Sequence, residues 1–132
     1  MKIAITLLAG TLFLAGCGIL PQKYDNNEYE MWVRLYVQSQ QLNQACDVST
    51  LSEINNHLSQ MYTETQVIKV YAMHTPNNPE VAEVAGIVAK DIIEMQEVYK
   101  TNEHNVTYCK RKSELLSSKI DTMVKVLPNK KR

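Results

Sequence analysis

Three cysteines, three histidines and one row of carboxylates are the side chains here with chemistry to offer. The thiols of Cys17, Cys46 and Cys109 could take an acyl group, pair with one another or bind a soft metal. Metal binding is the weakest of these, because no second Cys or His stands at ligand spacing from Cys46 or Cys109. His57, His74 and His104 fall in different segments, with no acid or nucleophile at motif spacing. They read as surface or loop positions rather than ligands or proton carriers. Asp91, Glu94 and Glu97 share one side of a helix, as the carboxylates of a general acid-base pair could. Lys90 and Lys100 stand beside them, so a solvated, ion-paired face is the simpler account. The chain has no Gly-rich phosphate loop, G-x-S-x-G, H-E-x-x-H or calcium-loop pattern. These observations lead us to expect no enzyme, no cofactor, no metal and no small-molecule substrate.

Cys17 has a more specific context. Met1-Lys2 is followed by an apolar run over residues 3–14, then by Ala15-Gly16-Cys17. The run is too short to cross a bilayer as a permanent helix. Leu14-Ala15-Gly16-Cys17 resembles the lipobox of bacterial lipoprotein precursors, including those encoded by phages. The resemblance implies that residues 1–16 are a signal peptide and that the Cys17 thiol is acylated, for instance with palmitate. Cleavage before Cys17 and acylation of the new amine would follow. Each buried methylene contributes about 0.8 kcal/mol, so two or three acyl chains hold a protein on a membrane durably. Gly18 is not the Asp that retains enteric lipoproteins at the inner membrane, which implies the periplasmic face of the outer membrane. The alternative is an ordinary secretory signal cut after Gly16, which would leave Cys17 as a free thiol or a disulfide partner.

With Cys17 assigned to lipid, Cys46 and Cys109 remain, and in an oxidising compartment two thiols are most simply one disulfide. Removing residues 1–16 from the 132 leaves 116, one small domain with a single core. That mature chain carries 13 basic and 14 acidic side chains, since the leader holds only Lys2. So even a balance is no nucleic-acid footprint. Asn129-Lys130-Lys131-Arg132 forms a short basic tail, either frayed in solvent or near anionic head groups.

The elements that must position these groups read as four helices. Residues 17–25 look like a tether, with Pro21 and the helix-starting cluster Asp25-Asn26-Asn27. A helical domain then occupies residues 26–128, and the basic tail 129–132. Its first stripe is Tyr29, Trp32, Leu35, Tyr36, Leu42 and Cys46. The second opens on capping-box spacing at Thr50 and Glu53, then runs through Leu51, Ile54, Leu58, Met61, Thr65, Ile68 and Ala72. The β-branched content of residues 66–71 would also suit a strand, but the three-four rhythm continues through it. Asn78 as cap and Pro79 in the first turn begin a third stripe, Val81, Ala85, Val88, Ile92, Met95 and Tyr99. Cys109, Leu116, Ile120, Met123 and Leu127 form the fourth, closed by Pro128. Short loops between four stripes predict an all-α, up-down-up-down bundle. That topology puts Cys46 and Cys109 at one end of adjacent helices, away from the tether.

Seven tyrosines and Trp32 dominate the aromatic content. Core filling is the first reading of such rings. A partner-docking patch formed by Tyr24, Tyr29, Met31 and Trp32 near the membrane end is the second. The chain is therefore expected to be a membrane-anchored periplasmic lipoprotein that acts through contacts with an envelope protein. In outline it is similar to pilotins that escort secretins, to outer-membrane spanins of phage lysis, and to lipoproteins that block a receptor. Each resemblance rests on Cys17 and general architecture. Spanins are usually shorter and richer in proline, and residues 113–132 are too polar to form a second membrane anchor.

Overall fold

The computed structural model describes residues 25–76 and 78–129; the leader, Cys17, Tyr24 and the basic residues 130–132 lie outside them. Four helices follow in order: α1 (Asn26–Val48), α2 (Leu51–Met73), α3 (Pro79–Thr101) and α4 (Val106–Val126). A 3-10 turn, Leu127–Asn129, closes the fourth, and Pro128 sits inside it. The described residues contain no strand.

The helix ends follow from side chains that satisfy otherwise unpaired backbone amides. Asp25 accepts from the amides of Asn27 and Glu28 at 2.9 and 3.2 Å. Thr50 and Glu53 form a reciprocal capping box, with Glu53 accepting from the Thr50 amide at 2.8 Å. Asn105 accepts from the Tyr108 amide at 2.9 Å and starts α4. Asn78 departs from expectation. It occupies the cap position of α3 but makes no side-chain cap bond. Its amide donates instead to the carboxylate of Glu28, and both side chains are buried. Pro79 in the first turn needs no amide partner, which leaves α3 tolerant of the missing cap.

α2 is helical throughout residues 66–71, and Ile54, Leu58, Met61, Thr65, Ile68 and Ala72 are all buried. Burial along one side of an amphipathic helix outweighs the local β-branched preference there. The α3 stripe is buried as read, with Ala89 added. In α1 the buried set is Glu28, Met31, Trp32, Leu35, Ser39, Leu42, Ala45 and Cys46. Tyr29 and Tyr36 are only partly buried, packed at the edge of the core. Around the bundle, α1 lies between α4 and α2, and α2 packs most extensively on α3. The α3/α4 seam is the most open one. An ion pair between Asp91 and Lys119 and an edge-to-face contact between Tyr99 and Tyr108 span it.

Candidate functional site

Cys46 and Cys109 form a disulfide between the end of α1 and the start of α4, with Cα atoms 5.7 Å apart and both side chains fully buried. The surroundings hold this end together. His104, in the α3–α4 loop, donates from Nε2 to the Cys46 carbonyl at 2.8 Å. This bond satisfies a carbonyl in the last turn of α1 and ties the loop down. The Tyr99 ring packs against His104 and, edge-on at 5.7 Å, against Tyr108. Burial pushes the Tyr99 hydroxyl above its ordinary pKa of 10.0, with the Tyr108 phenol adding to the effect. Tyr108 is raised by burial and then by Glu94. Lys110 pairs with Asp47 at 2.7 Å across the helix ends.

The α1/α4 interface is polar where hydropathy alone would predict aliphatic packing. Ser117 donates to Ser39 at 2.8 Å and accepts from Gln40 at 3.1 Å. Asn43 donates to Ser113 at 2.8 Å. Ser39 and Ser113 turn their protons back to the carbonyls of Tyr36 and Lys110, at 2.6 and 3.0 Å. Each of these three serine hydroxyls has a partner. Outside this network lies a shallow groove lined by Tyr36, Gln40, Asn43, Glu114, Ser117 and Asp121.

At the opposite end the chain enters the bundle at Asp25. The Tyr71 hydroxyl donates to Asp25 Oδ2 at 2.6 Å. That bond, followed by burial, raises the Tyr71 pKa above 10.0. Beside Tyr71, α2 shows Thr63, Gln66, Val67 and Val70 around an apolar depression, and Met73 completes the last turn. Val67, Val70 and Met73 are 49%, 53% and 65% exposed.

The aromatic docking patch is corrected by these positions. Trp32 is 0% exposed and Met31 is buried, both in the central core, while Tyr29 packs at its margin. Met31 and Trp32 continue the inward face of α1 and are not available to a partner, whereas Tyr29 is partly exposed. Tyr24 and Cys17 lie outside the described residues. The carboxylate row does not converge: Asp91 pairs with Lys119 on α4, whereas Glu97 pairs with Lys100 at 2.7 Å along its own helix. The histidines are likewise dispersed. His74 is exposed and donates to the Val70 carbonyl at 2.8 Å, and His57 is half-buried on α2. His104 alone is built into the structure, a role with no signal in the sequence beyond its nearness to Cys109. No group of three or more His, Cys, Asp or Glu among the described residues could hold a metal ion.

No protein-family model, curated protein or solved structure matches this chain. Among the described residues, no helix is long and apolar enough to cross a membrane.

Proposed function

We propose that this protein is a lipoprotein of the bacterial envelope, anchored through acylated Cys17 at the periplasmic face of the outer membrane, and that it acts by protein contacts. The observation that carries the reading is Leu14-Ala15-Gly16-Cys17 at the end of a short apolar leader. A buried disulfide is in keeping with an oxidising compartment. The bundle gives such an anchor a rigid reach of about 34 Å, the length of a 23-residue helix. The disulfide end then stands far from the tether and, with the polar α1/α4 groove, is the surface offered to an envelope protein. Val48 there is 85% exposed.

Two measurements test this. Mass spectrometry of the amino terminus should find a diacyl- or triacyl-modified Cys17, and Cys17→Ser should move the protein out of the membrane fraction. An unmodified amino terminus, or unchanged fractionation of the variant, refutes the anchor. For the contact role, a photo-crosslinking residue at Val48 or Gln40 should give one reproducible envelope-protein adduct in cells, and no adduct at either site counts against it.

A further inference from the structure

The face of α2 beside the chain's entry point is uncharged and exposed over its last three turns. Thr63, Gln66, Val67 and Val70 surround the depression, Tyr71 borders it and Met73 ends it. The neighbouring acid, Glu64, is turned to Arg34 of α1 at 3.2 Å. Asp25 accepts from Tyr71 and from two backbone amides, so its carboxylate is occupied as well. We infer that the Val67, Val70 and Met73 face of α2 rests on the phospholipid surface to which the chain is tethered. The inference builds on the lipid-anchored reading above.

Three features choose lipid over a protein partner. The first is position: the bond between Tyr71 and Asp25 fixes this face beside the point where the tether leaves the domain. Val67 lies only about 6 Å farther along the helix axis from Tyr71. Residues 17–24 span at most about 27 Å when extended, so an acyl group on Cys17 holds the bilayer within reach of the face. The second is size. A specific protein interface takes about 20–30 residues a side, and this strip is a few side chains long. Such a strip is too small to capture a protein alone, yet sufficient to add to an acyl anchor by entering the head-group boundary. The third is charge. The chain leaves α4 at this same end and continues into Lys130-Lys131-Arg132, which complements an anionic lipid surface. With only the last turns of α2 against the bilayer, the disulfide end still stands off the surface, and α4, diagonal to α2, is turned away from it.

The test uses the acylated full-length protein in vesicles of phosphatidylethanolamine and phosphatidylglycerol, with and without brominated acyl chains. Val67→Trp and Val70→Trp place a reporter on the face, and Val48→Trp places one at the far end. Trp32, fully buried, supplies a constant background. The expected result is flotation of all variants with the vesicles, with a blue shift and bromine-dependent loss of emission for Val67→Trp and Val70→Trp alone. If the variants float but those two respond no more than Val48→Trp, the face does not touch lipid and the inference fails while the anchor stands. If the purified chain carries no acyl group and stays at the bottom of the gradient, the anchored reading fails and this inference with it. A crosslinker at Val70 that yields a protein adduct in cells, together with absent quenching, assigns the face to a protein and overturns the lipid assignment.

Discussion

Reduction of the Cys46–Cys109 bridge is the perturbation whose size follows most directly from the structure. The two residues are 63 apart in sequence, and the closed loop contains all of α2 and α3. Loop-closure entropy for a ring of this size gives about 4 kcal/mol, against a total of about 5–15 kcal/mol for an ordinary domain. The reduced domain should therefore lose between about a quarter and about four-fifths of its stability. At about 4–8 °C per kcal/mol for a domain near this length, its midpoint should fall by about 15–30 °C. Both sulfurs are buried, so reduction must be done in denaturant before refolding. Trp32 emission and far-ultraviolet circular dichroism then follow urea and thermal unfolding of the two forms. Because reduction removes no side chain and only lets the two sulfurs move apart, the comparison reports chiefly on the crosslink. Unfolding free energies within about 1 kcal/mol of each other would refute the reasoning, showing that the open chain gains little freedom when the bridge is cut.

Leu58→Ala, in the fully buried face of α2, should cost about 2–5 kcal/mol in urea unfolding; Val67→Ala, on the exposed face, should stay within about 0.5 kcal/mol of the parent. Thr50→Ala removes one half of the capping box and should cost about 1 kcal/mol by the same assay. Tyr71, Tyr99 and Tyr108 all have folded-state pKa values raised above 10.0. Their contribution to stability is complete below the unfolded value of 10.0 and is lost as pH rises through the folded values, because there the unfolded chain has released protons that the native one retains. Absorbance titration of phenolate should show Tyr71, Tyr99 and Tyr108 ionising later in the native protein than in denaturant; no native-state lag would contradict the raised values.

Along α2 and α3, where the inward face is apolar apart from Thr65, the three-four rhythm located nearly every buried position. α1 and α4 were legible only in part. Ser39, Ser113 and Ser117 are buried between them, and a hydropathy pattern leaves such residues out. Ser39 and Ser113 donate to carbonyls one turn back on their own helices, but the partners from Gln40, Asn43 and the facing serine become neighbours only after the helices pack. Tyr29 and Tyr36 were read into the stripe because their rings are apolar, yet a phenol edge favours the boundary over the centre. Trp32 and Met31 illustrate the reverse. Residue type made them eligible for a surface patch, whereas their register on α1 turned them inward. The disulfide was legible because its two ends are separated by an even number of helices, and an antiparallel chain brings such points back together. Nothing local announced the pairing of Glu28 with Asn78, or the bond from His104 to Cys46, since each depends on loops meeting a helix end.

The sulfur bridge also determines how the domain would bear tension. A pull between a fixed first residue and a partner gripping the far tip runs lengthwise along α1, through the covalent link and into α4. The link keeps the far ends of α1 and α4 from parting, so such a load falls on α1 itself. The far tip would thus stay closed even while pulling unwound the base of α1.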